Sequence, residues 1–243
     1  MKNKLLLCFG LLCAFYPLVC QTVNGVLMKN TLSTFAARSV PVQDEQKELR
    51  KRYNETFDSS VYEQIEAAGI MARISIPVIG LDLPVYAGCG EEVLGKGIGH
   101  WPESHVPYGG DGTRTILTGH RGLAGHGFFT RLDELKKGDR IMLDGSNGEL
   151  WYEVSEVRTM LPQQAQALEA VARKDMLTLI TCTPYGINSH RLVVDAVRCG
   201  APQEQKEVQR MPSVRHMVMS GLPFGVLLFG MSIWKGKRKC GKK

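Results

Sequence analysis

Apolar and polar positions divide the chain into segments of different period. Lys2 and Lys4 precede a nearly uninterrupted apolar run from Leu5 to Cys20. Between Gln43 and Ala68 the sequence is rich in Glu, Gln, Lys and Arg, with Leu49, Tyr53, Phe57, Val61 and Ile65 recurring every three or four residues. That spacing predicts an amphipathic helical stretch. From Met71 the period drops to two. Ala72 to Ile79 and Gly80 to Tyr86 alternate, predicting a strand, a turn at Gly80 and a second strand. Thr113–Thr118 reads as a strand between Gly109-Gly110 and Gly119, and Phe128–Leu135 as a short helix ending near Gly138. Arg140–Leu143 and Leu150–Val157 flank Asp144-Gly-Ser-Asn-Gly148, a hairpin signal. Gln163–Arg173 looks helical, and Met176–Thr181 and Arg191–Val197 are β-branched apolar strands. Many short strands with a few short helices predict a mostly β fold, a mostly antiparallel β-barrel.

A second uncharged apolar run, Met217 to Trp234, lies near the other end. At ~1.5 Å per residue it spans roughly 27 Å, close to a bilayer core. Trp234 suits an interfacial aromatic, and Pro223 is tolerable in a membrane helix. The expected organisation is a signal peptide or N-terminal membrane anchor over 1–28 and a helical stalk over 29–70. A barrel over 71–205, a transmembrane helix over 217–234 and a basic cytoplasmic tail over 235–243 complete it. The barrel is then expected on the extracellular face of the cell membrane.

Charge supports that placement. The formal net charge is +6, and the tail alone carries Lys235, Lys237, Arg238, Lys239, Lys242 and Lys243. The remainder is close to neutral, whereas a nucleic-acid binder carries its basic patch on the folded domain. Of seven cysteines, only Cys89, Cys182 and Cys199 fall in the expected domain, and no Cys-x-x-Cys occurs. A disulfide framework and a structural zinc site have little support. A Cys89–Cys199 bridge is left open, because spacing says nothing about distance.

Three reactive residues fall at predicted strand ends. His120 follows Thr115-Ile-Leu-Thr-Gly119, Cys182 follows Leu177-Thr-Leu-Ile-Thr181, and Arg191 opens Leu192-Val-Val-Asp195. A thiol attacks a carbonyl as thiolate, which a nearby cation favours. An imidazole can protonate the leaving amine, and a guanidinium can hold an oxyanion. Spacing alone does not bring the three together. Thr181 and Thr183 flank the thiol and are candidates to line a substrate pocket. His126 is read as a surface residue, His190 as pointing to the face opposite Arg191, Cys89 as structural, and His100 and His105 as loop residues, with His100 able to pack near the site.

The segments Thr118-Gly-His120-Arg-Gly-Leu123 and Leu177-Thr-Leu-Ile-Thr-Cys182-Thr-Pro-Tyr-Gly-Ile-Asn-Ser-His-Arg191 resemble the sortase family. The similarity runs from about Ile74 to Val197 and is nearest to class C, the pilin polymerases. Leu132-Asp-Glu-Leu-Lys-Lys-Gly-Asp139 and Gly109-Gly110 share it. The resemblance implies an eight-stranded sortase-type barrel with Cys182 as nucleophile, His120 as acid/base and Arg191 as oxyanion partner. It implies cleavage of an LPxTG-like signal between Thr and Gly through a thioester on Cys182. A lysine of a pilin subunit, or a cell-wall precursor amine in anchoring enzymes, then resolves the thioester. It implies surface proteins and pilins as partners, and no metal or other cofactor. Class C enzymes usually carry a lid with an Asp-Pro-aromatic motif, and this chain has no Asp-Pro dipeptide. Tyr53 to Tyr62 occupies the place of a lid, which is expected to be missing or degenerate, with Phe57 or Tyr62 as substitutes. The competing expectations are a peptide-trimming hydrolase and a non-catalytic pilin-binding module.

Overall fold

The computed structural model describes residues 30–33, 40–122, 128–201 and 210–211. The two terminal apolar runs, the basic tail and His126 lie outside them. Among the described residues no helix is long and apolar enough to cross a membrane.

The predicted helical stretch is two helices, α1 (Val40–Thr56) and α2 (Ser59–Ala67). The break has a local cause. Phe57 takes φ +51°, in the left-handed region, and Asp58 caps α2 by accepting a hydrogen bond from the Ser60 amide at 2.8 Å. Eight strands follow: β1 (Ile70–Ile76), β2 (Leu81–Ala87), β3 (Ile98–His100), β4 (Thr113–Thr118), β5 (Arg140–Gly145), β6 (Gly148–Met160), β7 (Asp175–Thr183) and β8 (His190–Cys199). They close in the order β1-β2-β3-β4-β7-β8-β6-β5. The hairpin predicted at Asp144–Gly148 joins β5 to β6, with Gly145 paired to Gly148. The barrel is mostly antiparallel, as the pattern predicted, with β2·β3 and β4·β7 as parallel pairs.

Two predicted helices are shorter than expected. Only Leu132–Glu134 forms a 3-10 turn within Phe128–Leu135, and only Pro162–Gln166 (α4, after the single-turn α3 at Glu91–Leu94) is helical before β7. Phe128, Phe129 and Leu135 are nevertheless buried, so their apolar spacing reflects packing against the barrel rather than a continuous helix.

Side chains alternate across the strands as the pleat requires. Leu177 and Leu179 of β7 and Leu192, Val194 and Ala196 of β8 fill the barrel interior with Ile74, Leu117, Phe129 and Tyr152. Ile116, Ile180 and Val193 face outward and are covered by Ala165, Trp101, Met160 and Leu168. On that outer face, Arg114 donates to Thr178 at 2.8 Å and to Asp195 at 2.9 Å, and Arg158 also pairs with Asp195.

The helices dock separately through Tyr53, Val61, Tyr62 and Ile65. The Tyr62 hydroxyl accepts from the Gly88 amide at 2.8 Å and meets His100 Nδ1 at 3.0 Å. The other His100 nitrogen faces the His105 carbonyl at 3.0 Å. A carbonyl only accepts, so His100 carries its proton on Nε2 and its Nδ1 accepts from Tyr62. His100 thus ends a strand, fully buried, rather than lying in a loop.

Candidate active site

Strand direction places the candidate chemistry at one end of the barrel. β4 and β7 run parallel and β8 antiparallel to them, so the residue after β4, the end of β7 and the start of β8 share a rim. Cys182 and Arg191 are direct partners across the β7·β8 ladder. Opposed residues of an antiparallel pair project to the same face. By alternation from Ile180 and Val193, that is the outer face. His120 has the parity of Ile116 and Thr118 on the neighbouring strand, so the three candidates lie at one rim on adjacent strands.

The backbone carrying His120 is held on several sides. The Gly119 amide donates to the Ile180 carbonyl at 3.2 Å, extending the β4·β7 ladder past its end. The Gly119 carbonyl accepts from the Thr181 hydroxyl at 2.7 Å, and the His120 carbonyl from the Phe129 amide at 3.1 Å. A Cβ on Gly119 would lie 2.8 Å from Ile98 Cδ1 and 3.0 Å from the Phe129 ring, so the approach requires glycine. The imidazole is partly exposed, with Nε2 3.4 Å from a Glu91 carboxylate oxygen.

Thr181 and Thr183 alternate away from Cys182. Thr181 is 1% exposed, and its hydroxyl is spent on Gly119. Thr183 accepts from Arg121 Nη1 at 2.9 Å. Both therefore tie the thiol-bearing strand to the histidine loop. His190, paired with Thr183, takes the face opposite Arg191, as its neighbouring position predicts.

After Cys182 the chain turns through a cis Thr183–Pro184 bond, Gly186 and Asn188 before reaching Arg191. Ile187, in this loop, is 72% exposed. Arg191 Nη1 donates to the Asn188 and His190 carbonyls at 3.2 and 3.1 Å. A guanidinium has five N–H donors, so the rest of its fork is available to an incoming oxyanion.

Cys89, Cys182 and Cys199 are all free thiols, so the Cys89–Cys199 bridge is not formed. Burial pushes the Cys89 thiol above its usual range, with Glu103 adding to the effect, and burial likewise raises Cys199. Neither rival is predisposed to be a thiolate near neutral pH.

Sequence reasoning missed Arg121, Tyr185 and Asp133. Arg121 Nη2 pairs with Asp133 at 2.6 Å, and the Tyr185 hydroxyl donates to the Gly122 carbonyl at 3.0 Å. The available signal was their position: Arg121 follows the histidine and Tyr185 lies three residues past the cysteine.

A family model described as the Sortase domain matches residues 74–199. Among curated proteins, sortase D of Bacillus subtilis (strain 168) is 32% identical over 120 residues, covering 49% of this chain and 56% of that protein. The chain spans little more than half the length of the curated relatives it matches. Among solved structures, sortase C-1 of Actinomyces oris superposes with a TM-score of 0.62 at 33% identity, covering 65% of this chain and 99% of that one. Sortase C of Streptococcus pneumoniae, described for its catalysis and pilin substrate specificity, gives 0.66 at 30% identity, covering 73% and 99%.

Proposed function

Because this chain belongs to the sortase family, we propose that it is a membrane-anchored cysteine transpeptidase acting outside the cell on LPxTG-like sorting signals. The observation that carries the reading is the pairing of Cys182 with Arg191 on one face of β7·β8, with His120 on the adjoining strand end.

In this reaction the Cys182 thiolate attacks the carbonyl carbon of the signal's threonine. The carbonyl π pair moves to oxygen, and the spare Arg191 N–H groups stabilise the oxyanion. Collapse breaks the Thr–Gly C–N bond, and the His120 imidazolium gives its proton to the departing amine. The thioester left on Cys182 is attacked by an acceptor amine, whose proton returns to His120 as the thiolate leaves. Partly covered apolar side chains at Trp101, Met160 and Leu168 lie on the same outer face and suit the apolar residues of such a signal.

The likeness to sortases C favours a pilin lysine as acceptor and pilus assembly as the outcome. Thr181 and Thr183 enter as residues that hold the two catalytic segments together. The apolar runs 1–28 and 217–234 serve as export signal or anchor and as transmembrane helix, with the basic tail cytoplasmic.

The test is intact-mass spectrometry of the full-length chain with an LPxTG-type peptide. We expect a covalent adduct on Cys182, released by a lysine-bearing pilin peptide, and none in Cys182→Ala. Full peptide cleavage by Cys182→Ala would sink the assignment. An adduct that only water resolves would mark a hydrolase.

A further inference from the structure

Arg121 is a buried cation in an unexpected place. It follows His120 directly, and its side chain is 2% exposed. Nη1 donates to the hydroxyl of Thr183, the residue after Cys182, at 2.9 Å. Nη2 pairs with Asp133, in the 3-10 turn, at 2.6 Å. Its Nε is buried without a hydrogen-bond partner. A buried guanidinium left incompletely paired costs free energy that an apolar side chain of similar size would not. Stability alone does not account for it.

A second latch runs beside the first. Gly122 sits at φ +83°, and a Cβ there would overlap the Tyr185 ring, whose hydroxyl bonds the Gly122 carbonyl. The Gly122 amide donates to the Thr130 hydroxyl at 3.1 Å. Residues one and two places after the histidine thus grip residues one and three places after the cysteine.

We propose that Arg121, oriented by Asp133, is a positioning residue that sets the alignment of His120 with Cys182 by bridging to Thr183. The inference rests on the reading of Cys182 and His120 as nucleophile and acid/base. Arg121 touches neither substrate nor reacting atoms. It holds the strand end carrying the thiol against the loop carrying the imidazole, so that the imidazolium can favour the thiolate. Lysine cannot replace it, because one ammonium does not offer two in-plane donors in a fixed fork. Besides Arg121, the charged groups around His120 include Glu91 at 3.4 Å, which is highly exposed and on a different element.

The test reads Cys182 itself rather than turnover. Full-length wild type, Thr183→Val, Arg121→Lys and the double variant are alkylated with iodoacetamide from about pH 5 to 9, with modification of Cys182 resolved by mass spectrometry. Thr183→Val removes one acceptor at nearly constant volume and decides the matter if Arg121→Lys does not fold. We expect each single variant to slow alkylation at neutral pH about tenfold, the worth of one hydrogen bond to a charged group. The double variant should be no worse than Arg121→Lys, since one bridge is lost once. Unchanged alkylation profiles in Thr183→Val and in every folded Arg121 variant, with only the melting temperature lowered, would overturn the proposal. Alkylation needs no peptide. A wild type that forms no adduct with a sorting peptide, with alkylation still slowed in the variants, would therefore fail the functional reading and keep the positioning role.

Discussion

Gly122 takes a φ of +83° beside the face of Tyr185, so replacing it strains both backbone and packing. Gly122→Ala is expected to destabilise the chain by about 1–3 kcal/mol, read as a lowered denaturant midpoint. It should also cut acyl-enzyme formation, because Tyr185 must leave the loop after His120. His100 makes a pH prediction. Burial holds its pKa at about 4, against the ordinary 6.5. Between those values the unfolded chain binds a proton that the folded chain refuses. The stability contributed by neutral His100 is thus complete above about pH 6.5 and is lost as pH falls towards 4. The loss approaches about 3 kcal/mol. Urea titrations over this range should show a shallower decline in His100→Gln than in wild type; equal slopes would remove His100 as the cause.

At the scale of elements, the predictions concern how strands and helices are tied together. Burial raises the Tyr62 phenol well above its ordinary range, so it stays protonated while it links α2 to Gly88 and His100. Tyr62→Phe strands the Gly88 amide and His100 Nδ1, at a cost of about 1–3 kcal/mol. Hydrogen exchange should then rise in α2 before it rises in the barrel. Across β4, β6, β7 and β8, Asp195 is shared by Arg114, Thr178 and Arg158. Asp195→Asn leaves the buried Arg114 without its counter-charge. A loss of about 3–5 kcal/mol is expected in chemical denaturation. The elements that carry the site were the most legible ones. β4, β7 and β8 combine β-branched cores with glycine or a polar loop at their ends, and two of the catalytic candidates fall where those signals stop. β3 was missed because Ile98–His100 is too short to show a period. Gln163–Arg173 was overextended because Ala165 and Leu168 bury against the sheet whether or not a helix continues. The helical stretch Gln43–Ala68 was legible from its spacing, but the break at Phe57 was not, because the spacing persists across it and only backbone geometry marks it. Arg121 escaped notice because its partners, Thr183 and Asp133, are distant in sequence.

On the scale of the whole molecule, the end of the barrel that bears Cys182 also holds the last described residues. The turn Pro77–Ile79, between β1 and β2, belongs to that rim by strand direction. Arg210 donates its amide to Val78 at 2.7 Å, and its guanidinium grips both oxygens of Asp139 at 2.7 Å. Arg131 closes over it, reaching the Ile79 and Arg210 carbonyls at 2.7 and 2.8 Å. β8 ends at Cys199 on the far rim, so the clamp brings the chain back to the reactive end. From Arg210 to the apolar run at Met217, seven residues can stretch no more than about 25 Å. In the proposed topology that span is a leash. In that topology it would hold the Cys182 rim near the lipid surface. Arg210→Ala would release the grip on Asp139 and slacken the leash's hold on the reactive rim, while the backbone bonds to Val78 and Arg131 remain.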